Sequence, residues 1–353
     1  MLKVKIEKKL DRFDLDIDLK AKDEIIGLLG DSGSGKSLTL KTVAGIFNPD
    51  KGYISVNSRT ILDTDKKICI RSKDRHVGYM FQNYALFPHM TAFQNIMCCL
   101  SDGTKKEKEK RTSEILKTFH LSEVKNLYPY QLSGGQQQRT ALARMMSVNP
   151  ECILLDEPFS ALDTNLRWQL EIELVKFLKT FDGTTVLVTH NKDEAYRICD
   201  TIAVISEGRI VEIGDKKQIF ERPRSVFSAA ILGKKNIAGA IKKENCKVYA
   251  PKWDLNLKSD YVPEDAGYIC LPENKIRLFK KNGDFEFDCV IENIVDDAEK
   301  TVLFCARTTK AEHIVIELSK YAFDLSNDTQ INKFAVNDKI TAYYSPKDIL
   351  FLK

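Results

Sequence analysis

The sequence of 353 residues has no run approaching the roughly 20 consecutive apolar residues that a membrane-spanning helix needs. Its first stretch, MLKVKIEKKL, alternates apolar and basic residues and lacks the apolar core of a secretion signal, so a cytoplasmic protein is expected. Nine cysteines include no CxxC pair and no Cys/His cluster at zinc spacing. They read as buried, reduced thiols in a reducing compartment. No charged tail is present either. The 54 basic and 50 acidic residues leave a net charge of +4 spread along the chain, which argues against nucleic-acid binding as its main task. Internal repeats and low-complexity tracts are also missing.

What is present is enough apolar material for real cores, 43% against 29% charged residues, in a chain long enough for two domains. Apolar runs at Ile25–Leu29, Val77–Phe81, Ile153–Leu155, Thr185–Val188 and Ile202–Ile205 alternate with helical patterns. That alternation predicts a mainly parallel α/β sheet. The stretch Phe13–Leu19 alternates strictly, with Asp14, Asp16 and Asp18 facing out, and predicts an antiparallel flap beside it. Residues 91–150 are helical in pattern, with a charged loop expected at Lys105–Arg111. From about 236 onward short alternating segments (FEFDCVI, TVLFCA, HIVIEL, KITAYY) predict a small all-β barrel. The expected domains are therefore 1–235 and 236–353.

The stretch GDSGSGKS comprises Gly30, Asp31, Ser32, Gly33, Ser34, Gly35, Lys36 and Ser37. It lies between a strand and a helix whose Leu40, Val43, Ala44 and Phe47 share one face. The pattern G-x-x-x-x-G-K-[ST] in that setting is a phosphate loop. Glycines let backbone N–H groups converge on phosphate oxygens, and the helix N-terminus adds its positive end. Lys36 supplies a point charge for the β- and γ-phosphates, and Ser37 a hydroxyl for Mg2+.

An apolar strand, CILLDEP, ends in Asp156 and Glu157. The first can reach Mg2+; the second, beside a γ-phosphate, can orient or deprotonate water. A third element, LSGGQQQR, opens a helix with Ser133, Gly134, Gly135 and Gln136. It reads either as a plain N-cap or as a second anion cradle. Since the chain has a single phosphate loop, such a cradle makes sense if it meets the nucleotide of another copy.

Together these motifs resemble the ATPase subunit of ATP-binding-cassette (ABC) transporters, a P-loop NTPase fold with an antiparallel flap and a helical subdomain. GDSGSGKS resembles the family's Walker A loop, LSGGQ its signature and ILLDEP its Walker B strand. By the same resemblance, Gln82 links Mg2+ and the lytic water to the membrane subunits, His190 contacts the γ-phosphate, and Asp163 in SALD belongs to a loop at the dimer interface. Asn191 with Glu194 reads as a capping box for the following helix. The family stacks adenine on an aromatic residue of the N-terminal strand pair. Here Phe13 is the candidate, and it reads equally as a core residue of an alternating strand.

The resemblance implies that two copies close head to tail on ATP and Mg2+, and that the groove from Gln82 to Met90 grips a cytoplasmic helix of a membrane permease. A substrate-binding protein outside the membrane serves indirectly, and the ATPase sits at the cytoplasmic face. The β tail, expected to be an OB-like domain, resembles the importer branch for sugars, polyamines, iron and oxyanions. The junction RPRSVFSAAILGKKNIA is similar to molybdate and sulfate members, and the compact KKICIRSKDRHVGYMFQ (Lys66–Gln82) resembles molybdate ATPases. Together they imply molybdate as the cargo, with sulfate or thiosulfate, iron, polyamine or sugar as the alternatives. The other readings, an ABC ATPase acting on DNA or on ribosomes, would require a long coiled-coil insertion or a second cassette. Neither is in the sequence.

Overall fold

The computed structural model describes residues 1–160, 164–244, 246–308, 310–320 and 334–353. It separates into two compact units, Met1–Lys217 and Gln218–Lys353.

The first unit runs β1 (Leu2–Lys9), β2 (Asp14–Ala21), β3 (Ile25–Leu29), α1 (Lys36–Val43), β4 (Lys51–Val56), β5 (Arg59–Asp63), β6 (Ile68–Cys69) and β7 (Val77–Met80). Helices α2 (Ala92–Met97), α3 (Lys105–Thr118) and α4 (Gly134–Met146) follow, then β8 (Cys152–Asp156), α5 (Thr164–Leu178), β9 (Thr184–Thr189), α6 (Lys192–Ile198), β10 (Thr201–Ser206) and β11 (Arg209–Asp215). Among the described residues the strands join one sheet in the order β6-β5-β4-β1-β2-β11-β10-β3-β9-β8-β7. The segment β10-β3-β9-β8-β7 is parallel throughout. Its central strands are buried along their whole length, as apolar runs covered on both faces must be. The β6-to-β2 end is the expected antiparallel flap, and Leu15, Ile17 and Leu19 of β2 enter the core while its aspartates face out.

Three local expectations change. Phe47 does not share the face of α1, because the helix stops at Val43 and Gly45 follows with φ of 75°. The buried Arg75 guanidinium fills the space beside Gly45 and donates to the carbonyls of Thr42 and Val43 at 2.8 Å, which caps the helix end. Lys105–Arg111 is the first half of α3 rather than a loop. Thr104 and Glu107 form a capping box, and lysine and glutamate are good helix formers that leave this face solvated. Of the cysteines, none is bonded to another; five are buried, but Cys69, Cys98 and Cys246 are exposed.

The second unit contains α8 (Val226–Ile231), preceded by α7 (Lys216–Glu221) at the division. Its strands are β12 (Ile237–Gly239), β13 (Ile241–Lys243), β14 (Lys247–Ala250), β15 (Leu255–Lys258), β16 (Tyr268–Cys270), β17 (Phe285–Asp296), β18 (Lys300–Ala306), β19 (Ile314–Ser319), β20 (Lys339–Tyr344) and β21 (Leu350–Leu352). Among the described residues they make sheets β12-β16-β21, β13-β14-β15 and β19-β18-β17-β20, all antiparallel. One apolar core with Trp253 and Tyr344 fully buried serves them, which fits the small OB-like all-β domain. Ala229 of α8 packs with Cys270 and Leu352, so the junction stretch belongs to this unit.

Candidate functional site

The C-terminal ends of the parallel strands carry the site, where a sheet of this kind leaves a crevice for ligands. Strand β3 sits between β10 and β9, and Gly30 follows its end. A Cβ there would collide with the Ile205 carbonyl oxygen of β10, so only glycine fits. Gly33 and Gly35 take φ of 83° and 102°, the left-handed region open to glycine. Helix α1 starts at Lys36 with no side chain capping it, so its first N–H groups are left for an anion.

Lys36 is buried, and its ammonium donates to the carbonyls of Gly30 at 2.9 Å and Asp31 at 2.6 Å. Burial lowers its pKa from the ordinary lysine value, and the nearby Glu157, Asp31 and Asp156 work against that shift. Ser34 faces the same ammonium at 3.4 Å. Phe13 precedes β2 and lines a cavity of about 370 Å³ with Ser32, Gly33, Gly35, Lys36, Ser37 and Glu157. It stands just before β2, lining the mouth of the loop on one side and packing against the core of the unit on the other.

Two carboxylates close the far side. Ser37 Oγ donates to Asp156 Oδ1 at 2.7 Å, and the Tyr79 hydroxyl donates to Asp156 Oδ2 at 2.8 Å. Burial, then the neighbouring carboxylate, raises the Tyr79 pKa, so this hydroxyl stays a donor. Glu157, with φ of 47°, accepts from Gln82 Nε2 at 3.3 Å, and its other oxygen lies 3.2 Å from His190 Nδ1. Gln82 follows β7, Glu157 follows β8 and His190 follows β9, so three adjacent parallel strands deliver three side chains to one point.

Ser133 caps α4 with Gln136 in a reciprocal capping box. Among the described residues, no hydrogen bond or ion pair joins Ser133–Gln136 to Gly30–Ser37 of the same chain. Asp163 lies outside the described residues. The capping box expected of Asn191 and Glu194 is half formed. Asn191 Oδ1 accepts from the N–H groups of Asp193 and Glu194, but the Glu194 carboxylate is buried and accepts from Thr189 Oγ1 at 2.6 Å.

Sequence reasoning missed Tyr79, Tyr84, Gln138 and Arg144. Gln138 Nε2 and the Tyr84 hydroxyl both donate to the Pro158 carbonyl, at 3.2 and 3.3 Å. Arg144 donates to the carbonyls of Tyr84 and Ala85 at 2.9 and 2.8 Å. In the parallel register Tyr79 pairs with Leu154, two residues before Asp156 and so on the same face of the sheet, and its long side chain reaches that carboxylate.

Phosphate loop, strand-end carboxylates and capped signature helix on one parallel sheet define an ATPase of the cassette class. A family model described as ABC transporter matches residues 13–160. The chain is 32% identical over 333 residues to the Fe(3+) ions import ATP-binding protein FbpC 2 of Haemophilus influenzae, covering 93% of this chain and 89% of that protein. It is 38% identical over 283 residues to the sulfate/thiosulfate import ATP-binding protein CysA of Mesorhizobium japonicum, covering 77% and 80%. A solved ATP-binding cassette, a dimer in a post-hydrolysis state bound to ADP and Pi, aligns with a TM-score of 0.52 and 30% identity, covering 61% of this chain and 99% of that one. The chain belongs to the ABC transporter family and is an ATPase of its import branch. Among the described residues no helix is long and apolar enough to cross a membrane.

Proposed function

We propose that this chain energises uptake of an oxyanion at the cytoplasmic face of the membrane, two copies closing head to tail on ATP. The observation that carries the catalytic part is Glu157 held between Gln82 and His190, one residue after the carboxylate bonded to Ser37. In this reading the Lys36 ammonium turns from the Gly30 and Asp31 carbonyls to the β- and γ-phosphates, and the free N–H groups of the loop and α1 take the remaining oxygens. Phe13 lies against the base. Glu157 orients the attacking water and accepts its proton, Gln82 keeps that carboxylate in place, and His190 faces the γ-phosphate.

Ser37 Oγ and Asp156 Oδ1 are hard oxygen donors that fit Mg2+, with Gln82 near them and the other positions left to phosphate and water. Bound there, the ion would neutralise charge on the phosphate oxygens.

Dimerisation is supported by the signature's separation from its own loop and by the dimeric state of the solved cassette. Ser133–Gln136 of one copy would meet the nucleotide of the other, with Asp163 at the shared interface. A permease helix against Gln82–Met90 and an external substrate-binding protein complete the assembly. The test is light scattering of a Glu157→Gln chain with ATP: a dimer is expected, and adding Ser133→Arg should abolish it while leaving monomer ATP affinity unchanged. A persistent monomer refutes the shared site.

The oxyanion class is supported by relatives named for sulfate/thiosulfate, with molybdate the choice from the sequence. Iron is the second reading, because the Fe(3+) relative aligns over 93% of the chain whereas sulfate/thiosulfate relatives at 41–42% identity align over 63%. Uptake of labelled molybdate, sulfate, thiosulfate and Fe3+ by liposomes carrying the purified transporter decides between them.

A further inference from the structure

Within the second unit a cleft of about 510 Å³ is lined by Gln218, Arg222, Pro223, Arg224, Lys347 and the run Ile349–Phe351. Its size lies in the range of roughly 300–1,000 Å³ typical of small-molecule sites. Three of the lining side chains are cationic and none is acidic. The Arg222 guanidinium and the Lys347 ammonium have no hydrogen-bond or ion-pair partner among the described residues. The floor is apolar: Pro223 and Ile349 are buried, and Leu350 and Phe351 partly so.

The walls are fixed rather than loose. Lys353 N–H donates to the Arg224 carbonyl at 2.9 Å and Val226 N–H to the Lys353 carbonyl at 3.2 Å, which ties the residues around Arg224 to the end of the chain. Strand β21 is paired along β16, and Lys347 stands on a short turn whose Asp348 lies 3.9 Å from the Arg277 guanidinium. Cations over a low-dielectric floor concentrate positive potential in the cleft. Guanidinium groups suit phosphate oxygens through paired N–H donors. The Phe351 ring and its aliphatic neighbours suit a flat apolar group. A bare tetrahedral anion would leave that floor uncovered.

We propose that this cleft binds a small phosphomonoester carrying a flat aromatic group, of which a mononucleotide is one form and an aryl phosphate another. The site is separate from the ATP loop and does not depend on the import reading.

The test is calorimetric titration of the full chain with 1-naphthyl phosphate, with inorganic phosphate and 1-naphthol as the two halves of the ligand. Saturable binding of the phosphomonoester is expected, with each half at least about tenfold weaker, since both charge and floor contribute. Arg222→Ala combined with Lys347→Ala should weaken it by at least about tenfold. Lys347→Ala alone, on an exposed turn, should give a smaller loss at unchanged melting temperature. Binding unaffected by these substitutions would place the ligand at Gly30–Ser37 and overturn the proposal, as would no binding at all. Equal affinity for inorganic phosphate would overturn the assignment of ligand class.

Discussion

Replacing Tyr79 by Phe removes one oxygen and tests how Asp156 is held. The hydroxyl is 2.8 Å from Asp156 Oδ2, and the ring stays anchored edge-on against Phe81 at 4.5 Å, so no cavity opens. A hydrogen bond to a charged acceptor contributes about 1.5–3 kcal/mol, and about 2 kcal/mol in a unit of this size corresponds to a melting-temperature loss of roughly 4–8 °C. If Asp156 holds Mg2+ as proposed, function should suffer more, because outer-shell partners of a metal carboxylate typically carry about 10- to 100-fold in affinity or activity. The Mg2+ concentration for half-maximal ATPase should therefore rise by about tenfold or more, while ATP binding in EDTA stays unchanged. The pH dependence has a definite sign. Burial and Asp156 raise the Tyr79 pKa above its ordinary 10.0, so the stabilisation is complete below about pH 10 and fades only above it. The gap between wild type and Tyr79→Phe should then be flat from about pH 7 to about pH 10. A variant with unchanged melting temperature and unchanged Mg2+ requirement would mean that Ser37 alone positions Asp156.

Lys36→Ala should weaken MgATP binding by about 10- to 100-fold in a calorimetric titration, the loss of charge-assisted bonds to phosphate. Glu157→Gln should lower ATPase turnover by about 10²- to 10⁴-fold while ATP still binds, as read by a coupled phosphate assay. Glu194→Gln keeps an acceptor for Thr189 Oγ1 but removes a buried carboxylate whose pKa is raised chiefly by burial. Because the raised pKa favours the protonated form, Glu194 costs stability as pH rises above the ordinary carboxylate range. The variant should therefore gain on wild type in thermal melts as pH rises above that range; a constant difference would refute the burial argument.

The parallel strands and the loop were legible because their signals are local. A fully apolar run such as ILL in β8 has one good home, a central strand, and GDSGSGKS puts glycines at the two positions where the loop takes left-handed φ. Gly45 marks the end of α1 in the sequence itself, but Arg75, thirty-odd residues away, which adds donors to the last carbonyls, was not legible. Lys105–Arg111 misled for a different reason. Charge without periodic apolar positions reads as a loop, yet α3 buries only Thr112 and Leu116 along its length and owes its start to Thr104 and Glu107. Glu194 shows a third limit: its spacing from Asn191 satisfies a cap rule, but the hydroxyl of Thr189 competes for the same carboxylate and wins in the buried site.

The residues that sequence reasoning missed tie the site to the helix that carries the signature. Pro158 follows Glu157 directly, and its carbonyl accepts from Gln138 of α4 and from Tyr84 of the segment that follows Gln82. Arg144, two turns further along α4, holds the carbonyls of Tyr84 and Ala85. Asn95 adds to this by donating to the carbonyls of Phe87 and Met90 at 3.2 and 3.0 Å, so the whole stretch from Tyr84 to Met90 is bound to helices rather than left as a free loop. Each tie is a buried or half-buried bond whose loss would strand a polar group, so the stretch and α4 shift more readily as one piece than apart. If Tyr84–Met90 is displaced, the expected routes are to Ser133 through the body of α4 and to Glu157 through the Pro158 carbonyl. The side chains of Tyr84, Gln138, Arg144 and Asn95 thus order the fold locally and join the segment after Gln82, the residue after Glu157 and the helix that Ser133 caps into one bonded unit.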